Sequence, residues 1–377
     1  MRSRLTIDCA ESTAHRDADS KFSQSPMNSE HPTLRVLAWP IQSPTNPYTP
    51  LLYSNLAPDV QAEEFSAGKV LEKYSVWHVH WPEALLNIRN PMLAASKVAG
   101  LFAAVDCLQM RGAKLVWTIH NCSSHEKLHP SLEAWFWRQF IPRVDGVISL
   151  SSAGLSNALE SFPALRKIPQ AVIPHGHYRN EYPQASLGAR KMLGIPPEAK
   201  MLLFVGAVRS YKNVEVLMRA FRGITTPDAI LHVVGSPNSA KLAQSILGQA
   251  SSDDRVSVLF EFVEPEVLSA YVSAADLVVL PYREILNSGS ALLALSLNRP
   301  ILVPDLGAMS ELKADFGDRW VRTFSGELDT AILECAVDWA VQNRTSVCPM
   351  PEKYEWQSIA RETARFYETV ISETLSP

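Results

Sequence analysis

Short apolar runs alternate with helical stretches along the chain from Leu34 onward, and this alternation restricts the possible folds more than any other feature. A strand buried in a parallel sheet reads as a continuous apolar run, whereas a helix repeats apolar residues every three or four positions. Strands are predicted at residues 34–38, 76–80, 114–119, 144–150 and 171–173, and again at 201–205, 230–234, 256–260, 277–280 and 301–303. Strands that alternate with helices form parallel sheets, so the sequence predicts an α/β protein with two Rossmann-like halves.

A cluster of prolines and glycines at residues 182–197 marks the boundary between the two halves. We predict an N-terminal domain over 34–182 and a C-terminal domain over 183–355. The last segment, 356–377, is predicted to be a helix that packs back on the N-terminal domain. Residues 1–33 are rich in Ser, Asp, Glu and His and are predicted to be a disordered lead-in.

Composition excludes several classes of protein. The chain has 377 residues, a net charge of -4 and a pI near 6.2, so no basic field favours nucleic acid as a partner. Its five cysteines are scattered and lack a CxxC spacing, which favours reduced thiols over disulfides or zinc. No apolar run approaches the roughly 20 residues that a membrane span needs, and no signal peptide is evident. We therefore expect a cytoplasmic protein.

The segment 277–312 reads as strand, loop, helix and strand. Pro281 stops the first strand, and Asn287, Ser288, Gly289 and Ser290 then open the helix. Free backbone N–H groups and two hydroxyls thus lie at the positive end of a helix dipole, which predicts an anion site. The alternative is an ordinary turn in which Ser and Gly only cap the helix.

The segment 201–221 has the same order of elements. Gly206 permits a tight turn after the strand, and Arg209 and Lys212 follow in the loop. Arg grips phosphate oxygens with two parallel hydrogen bonds and Lys acts as a point charge, so the pair suits a diphosphate. The alternative is a solvated loop that happens to be basic.

Histidines and a glutamate lie where strands of the first half end. His80 precedes Glu83 by three residues, and His120 and His175 end two later strands. Ligands of open parallel sheets bind beyond the carboxyl ends of strands, and imidazole titrates near neutrality, so these side chains are candidates for general base catalysis. Metal binding is a rival interpretation, but the spacing fits no familiar ligand motif. Hydrogen-bonded core histidines are the structural alternative.

These residues also carry a family resemblance. The matching stretches are YSVWHVHWPEALL at 74–86, TIHNCSSHE at 118–126, PHGHYRN at 174–180, VRSYKNVEVL at 208–217 and LPYREILNSGSALLALSLNRPILVP at 280–304. In them the chain resembles the GT-B glycosyltransferases, and more closely the GDP-mannose:glycolipid 4-beta-D-mannosyltransferases of xanthan-type exopolysaccharide assembly. The resemblance covers nearly everything from about Leu34 to the C-terminus.

The resemblance implies two Rossmann-like domains that face a cleft, with the acceptor on the N-terminal side and the nucleotide sugar on the C-terminal side. It implies transfer of mannose from GDP-mannose to a polyprenyl-diphosphate-linked oligosaccharide, with inversion and without a metal or other cofactor. Many retaining relatives carry two glutamates around the phosphate loop. Here Glu284 matches the first, but residues 291–294 are Ala-Leu-Leu-Ala where the second is expected.

The roles implied for individual residues divide between the two domains. The base is expected to be Glu83, with His80 and His120 as the next candidates. Donor binding is expected from Gly206, Arg209, Lys212, His175, Tyr178, Tyr282, Asn287, Ser288, Gly289 and Ser290. Three alternatives remain: a different donor such as UDP-glucose, a nucleotide-sugar-binding module without catalysis, and a dinucleotide oxidoreductase, against which stands the missing GxGxxG motif.

A lipid-linked acceptor would require contact with the inner face of the cell membrane. Aromatic and basic residues alternate at Trp135, Phe136, Trp137 and Arg138, with Phe140 and Arg143 following. Such residues suit the headgroup layer, so this segment is the predicted membrane contact, and residues 93–110 are a second candidate. The alternative for both is a helix of the protein core.

Overall fold

The structure, a computed structural model, describes residues 34–43, 46–124, 126–183, 188–285, 287–342 and 346–373. The predicted lead-in 1–33, His125 of the TIHNCSSHE stretch and the last four residues of the predicted C-terminal helix lie outside them. The described chain forms two parallel six-stranded sheets covered by helices.

The strands are β1 Leu34–Trp39, β2 Val60–Glu64, β3 Val76–His80, β4 Lys114–Ile119, β5 Gly146–Ser149, β6 Gln170–Val172, β7 Lys200–Val205, β8 Ala229–Val234, β9 Val256–Leu259, β10 Leu277–Val279, β11 Ile301–Pro304 and β12 Val321–Phe324. The helices are α1 Tyr48–Ser54, α2 Pro91–Met110, α3 Pro130–Phe140, α4 Ser152–Ser161, α5 Ala189–Met192, α6 Val214–Arg222, α7 Ala240–Ala250, α8 Pro265–Ala274, α9 Gly289–Ser296, α10 Ala308–Phe316, α11 Thr330–Val341 and α12 Trp356–Glu373.

The strand order is β2-β1-β3-β4-β5-β6 in the first sheet and β12-β11-β10-β7-β8-β9 in the second. All described ladders are parallel, and the predicted α/β class with two Rossmann-like halves is confirmed. The sequence predicted ten of these twelve strands. It missed β2 and β12, which are both edge strands with charged residues in short runs, VQAEE and VRTF. An edge strand is partly solvated and loses the continuous apolar pattern of a buried strand.

Helix α12 belongs to the core of the first domain although it ends the described chain. Trp356, Tyr367 and Val370 are buried with residues of β1 and β3. Helix α12 lies very close to β5, since a Cβ on Gly146 would meet Val370 Cγ2 at 2.5 Å. Glycine is therefore required at that position for α12 to reach the sheet.

Helix α3 corrects the predicted membrane contact. Phe136 and Phe140 are fully buried and Trp137 is 8% exposed, because these rings pack with Trp117 and Phe102 in the core of the first domain. The prediction that this whole aromatic run faces the membrane is therefore wrong. Two aromatic positions one residue apart point to different sides of a helix, and Trp135 is the ring that stays 40% exposed.

Helix α2 corrects a second expectation. By length and composition alone, its 20 residues are long and apolar enough to cross a membrane. The expectation that no such run exists was wrong because alanines and glycine extend the apolar stretch around Lys97 and Asp106. One side of α2 packs on the first sheet through Val98, Phe102 and Val105.

Candidate active site

One cleft of about 1110 Å³ lies where the carboxyl ends of both sheets meet. The first domain lines it with residues that follow β3 and β4, and the second with residues that follow β7 and β10. The lining residues that matter most are Trp81, His120, Asn121, Lys212, Gly289 and Ser290. The predicted architecture, two Rossmann-like domains that face a cleft, is confirmed.

The two predicted phosphate loops meet at Gly206. This residue has φ +118°, and a Cβ there would meet Ser290 Oγ at 2.7 Å and Lys212 Nζ at 3.4 Å. Glycine is therefore required both by the backbone conformation and by the space. The loops are further joined by a hydrogen bond of 2.8 Å from Arg283 N to Tyr211 O. A cation and a hydroxyl thus converge on one point of the cleft wall.

The second loop presents the start of α9 to the cleft. Ser288 caps the helix, since its Oγ accepts from Ala291 N at 3.1 Å. Gly289 lies against Tyr178, whose Oη would be 3.1 Å from a Cβ at that position. Asn287 Nδ2 donates to His120 O at 3.3 Å and so ties this loop to the end of β4. Residues predicted from both halves of the chain are therefore brought together here.

The junction between the domains holds His175 and Tyr178 in fixed orientations. His175 Nδ1 donates to Gly176 O at 2.8 Å, which leaves Nε2 to accept from Tyr178 Oη at 3.1 Å. Burial lowers the pKa of His175 to about 4, so this imidazole is neutral at pH 7. Tyr178 N in turn donates to Ser296 Oγ on α9 at 2.9 Å.

Lys212 is a cation held against the cleft wall. Its Nζ lies 5.2 Å from the centre of the Tyr282 ring, and no carboxylate forms an ion pair with it in the described part of the chain. Burial of the ammonium lowers its pKa, because a charged group loses hydration there. An anionic ligand in the cleft would replace that hydration.

Three predicted donor residues do not line the cleft. Arg209 is directed away from it, because its Nη1 donates to Val208 O at 3.0 Å and to Ser236 O at 3.2 Å. Tyr282 is 3% exposed and lies beneath Lys212. The hydroxyl of Ser288 already accepts the hydrogen bond that caps α9. The loop position of Arg209 was clear from sequence, but the direction of its side chain was not.

The three candidate bases differ in their access to the cleft. The ring of His120 lines the cleft and stacks on Trp81 with centroids 4.0 Å apart. His80 lies behind it, with Nδ1 3.2 Å from His120 Nε2. Burial lowers the pKa of both imidazoles well below the usual value, so both are neutral at pH 7.

Glu83, the first candidate for the base, lies behind the cleft wall. It is 2% exposed, and its Oε1 accepts from Asn121 Nδ2 at 2.9 Å, while Asn121 itself lines the cleft. Its Oε2 has no hydrogen-bond partner among the described residues. Burial raises the pKa of Glu83 to about 7, as expected for a carboxyl group whose proton is retained in an apolar site. The structure thus places Glu83 as a support for Asn121.

Two residues of the site were not among the predicted site residues: Trp81, which lines the cleft, and Tyr48, which is buried behind the lining residues. Trp81 has φ +47°, a conformation rare in tryptophan that places its ring over His120. Tyr48 packs edge-on against His120 at 5.2 Å and tilted against His175 at 4.8 Å. Trp81 lay within the HWPE string, which was a usable signal, whereas nothing around Tyr48 in the sequence marked it.

The described residues contain no group of three or more His, Cys, Asp or Glu side chains that could hold a metal ion. Polar residues of the second domain that line the cleft include Arg283 and Glu284 beside Lys212, Ser290 and the start of α9. The ammonium of Lys212, the hydroxyl of Ser290 and the backbone N–H groups of α9 are hydrogen-bond donors that suit phosphate oxygens.

Solved structures of similar architecture share this arrangement of domains. Anabaena HepE, solved in complex with UDP-glucose, aligns with a TM-score of 0.60 at 15% identity over 91% of this chain and 99% of that chain. Sucrose-phosphate synthase from Thermosynechococcus elongatus aligns with a TM-score of 0.57 at 19% identity, over 80% of this chain and 74% of that chain. The protein therefore has the GT-B fold.

Sequence comparison defines the family. Residues 199–334 match the family model described as glycosyl transferases group 1. The chain is also 33% identical over 324 residues to GDP-mannose:glycolipid 4-beta-D-mannosyltransferase from Xanthomonas campestris pv. campestris, a match that covers 86% of this chain and 88% of that protein. The chain belongs to this family of GT-B glycosyltransferases, and the predicted resemblance is confirmed.

Proposed function

We propose that this glycosyltransferase moves mannose from GDP-mannose to a polyprenyl-diphosphate-linked oligosaccharide, with inversion at the anomeric carbon, during assembly of an exopolysaccharide repeat. Support for the donor and for a lipid acceptor comes from the Xanthomonas relative, whose name specifies GDP-mannose and a glycolipid. Because such an acceptor stays in the bilayer, the proposal includes reversible contact with the inner face of the cell membrane.

The observation that carries this proposal is the convergence of Lys212, Ser290 and the N-terminus of α9 on one wall of the cleft. When the bond from the sugar to the diphosphate breaks, negative charge develops on the diphosphate oxygens. A fixed ammonium and a helix dipole stabilise that charge without reorganisation at the moment of reaction. We propose that they do so without a metal ion.

We assign the base to His120 because it lines the cleft from the first domain, whereas Glu83 and His80 lie behind the lining residues. A neutral imidazole can take the proton of the acceptor hydroxyl as that oxygen attacks the anomeric carbon. Attack from the face opposite the leaving diphosphate inverts the anomeric carbon and converts an α-linked donor into a β-mannoside.

The first turns of α9 support inversion. At the position where retaining relatives are expected to carry a second glutamate, residues Ala291, Leu292, Leu293 and Ala294 are all buried, and Leu293 lines the cleft. An apolar surface at this point offers neither a nucleophile nor a carboxylate for the ribose of the donor. The proposed reaction is therefore a single displacement.

The stereochemistry of the product tests the proposed function directly. The purified protein is incubated with GDP-mannose and a polyprenyl-diphosphate oligosaccharide in the presence of EDTA, with UDP-glucose as a parallel donor. The expected product is a β-mannoside, identified by the one-bond carbon–proton coupling of its anomeric centre. An α-mannoside overturns inversion, dependence on a divalent ion overturns the metal-free account, and transfer from UDP-glucose alone overturns the donor assignment.

Two variants separate the candidate bases. His120→Ala is expected to lower kcat by about 10²–10⁴, the usual contribution of general base catalysis. Glu83→Gln keeps the shape and an oxygen acceptor for Asn121, so it is expected to stay within about tenfold of the wild-type kcat. If Glu83→Gln abolishes turnover while His120→Ala retains it, the base is the carboxylate.

A further inference from the structure

A buried chain of hydrogen bonds extends from His120 into the first domain and ends on the C-terminal helix. His120 Nε2 lies 3.2 Å from His80 Nδ1, and His80 Nε2 lies 2.8 Å from Tyr53 Oη. Tyr53 Oη also lies 2.9 Å from His78 Nδ1, which Tyr367 Oη of α12 approaches to 2.7 Å. All five side chains are buried, with Tyr53 the most exposed at 9%.

Every link in this chain joins one group that can donate to one that can accept, and the whole chain can point in either of two directions. In the inward direction, His120 donates from Nε2 to His80, and His80 donates from Nε2 to Tyr53. In the outward direction, both imidazoles reverse their tautomers. The direction therefore decides whether His120 Nδ1 offers a lone pair or a proton, and Nδ1 makes no hydrogen bond to the described residues.

We propose that Tyr53, His78, His80 and Tyr367 are positioning residues that hold the chain in the inward direction, so that His120 faces the cleft with the lone pair of Nδ1. The other ring nitrogen of His78, Nε2, lies 2.7 Å from Thr118 Oγ1, so this imidazole is held on both sides. The role assigned to His120 rests on the proposed transferase function. The chain makes α12 part of the acceptor side of the site, although Tyr367 is 289 residues from His78 in sequence.

The proton balance of the step is simple. As the acceptor oxygen bonds to the anomeric carbon, the bond from that carbon to the diphosphate breaks and its electron pair stays on the diphosphate. The acceptor proton moves to His120 Nδ1. The Nε2 proton of the resulting imidazolium can shift to His80 Nδ1, so the positive charge is shared along the chain instead of resting on one desolvated ring. The proton returns to water from Nδ1 after the product leaves.

The first test uses the histidine tautomer itself and needs no turnover. Nitrogen NMR of the histidine-labelled full chain is expected to show His120 as a single Nε2–H tautomer at neutral pH. In Tyr53→Phe, the link between His78 and His80 is lost, and His120 is expected to become a mixture of both tautomers. A single Nδ1–H tautomer in the wild type, or an unchanged spectrum in Tyr53→Phe, overturns the proposal.

The second test uses kinetics. Tyr53→Phe is expected to lower kcat about 10- to 100-fold with the KM for GDP-mannose unchanged, since Tyr53 is remote from the donor loops. Tyr367→Phe is the milder variant for use if Tyr53→Phe does not fold, because Tyr53 still contacts His78 there. The matched control is Tyr354→Phe, which removes a partly buried hydroxyl that donates to Asp315 in the second domain.

These outcomes separate two kinds of failure. If wild-type protein transfers no mannose but the tautomer of His120 responds to Tyr53→Phe, the proposed function fails and the hydrogen-bond chain stands. If transfer is observed and Tyr53→Phe and Tyr367→Phe behave like Tyr354→Phe in both experiments, the chain has only a structural role and the proposal is wrong.

Discussion

In the proposed function, Lys212 is the residue on which donor binding depends most directly. Its ammonium is partly buried and has no carboxylate partner in the described part of the chain, so the proposal assigns the diphosphate of the donor to it. Lys212→Ala is expected to slow transfer by about 10²–10³, the range for one group that stabilises developing charge. The matched control is Lys200→Ala at the opposite end of β7, where the ammonium lies 3.6 Å from the exposed Asp338. Equal kinetics in both variants would remove Lys212 from the site.

Glu83 leads to a second prediction at the scale of single residues, which concerns how the free energy of unfolding depends on pH. Its pKa is raised to about 7 in the folded protein from 4.5, so the folded state binds an extra proton between these values. This contribution is fully present below pH 4.5 and is lost as pH rises through 7. Glu83→Gln remains neutral throughout, so relative to wild type it should gain up to about 3 kcal/mol on going from pH 4 to pH 8.

Urea unfolding of wild type and Glu83→Gln at several pH values measures this difference. The variant and the wild type should be similar in stability at acidic pH, diverge between pH 4.5 and 7, and differ by a constant amount above pH 7. A difference that is constant across the range would mean that Glu83 is ionised in the folded protein. In that case its unpaired Oε2 would need another explanation.

At the scale of helices, the exposed part of α2 and α3 is the surface that we assign to the proposed membrane contact. Met92 is 82% exposed, Leu93 48% and Trp135 40%, and the Trp135 ring packs edge-on against Phe102 of α2 at 5.4 Å. Trp135→Ala is expected to weaken binding to anionic vesicles with little change in the melting temperature. Trp137→Ala opens a cavity in the core and is expected to cost about 3–5 kcal/mol of stability.

Vesicle co-sedimentation and thermal melts of the same two variants check this expectation. Loss of sedimentation in Trp135→Ala with an unchanged melt supports the membrane contact. Full retention of sedimentation would assign the exposed ring to another role, since one aromatic side chain contributes a large share of such a small apolar surface.

The same helices show how far the sequence can be interpreted. Buried strands were predicted well because burial on both faces leaves an unbroken apolar run, as in β7 and β10. The edge strands β2 and β12 and the inward face of α3 were not, since polarity along a sequence does not reveal which side of an element meets a neighbour. The two loops that line the cleft from the second domain were located because each follows a buried strand, β7 or β10, which its apolar run had marked. The directions of Arg209 and Glu83 depend on packing from distant parts of the chain and could not be predicted.

At the scale of the whole molecule, one contact between the domains stands beside the cleft. Glu311 at the start of α10 accepts from Ser152 N at 3.1 Å and from Ala153 N at 2.7 Å, so a carboxylate of the second domain meets the N-terminus of α4 in the first. A charged group at a helix N-terminus is favourable because of the free N–H groups and the helix dipole. Together with the hydrogen bond from Asn287 Nδ2 to His120 O, this contact joins the two walls of the cleft.

Removing the contact between Glu311 and the N-terminus of α4 should change domain closure more than the stability of either domain. A charge-assisted hydrogen bond contributes about 1.5–3 kcal/mol, so Glu311→Ala should shift the balance between closed and open forms by roughly tenfold or more. Small-angle scattering of the unliganded protein should then give a larger radius of gyration, with a lower kcat/KM. The matched control is Glu334→Ala, whose carboxylate accepts from Thr225 N at 2.7 Å within the second domain. If both variants scatter like wild type, the contact at α4 does not set the width of the cleft.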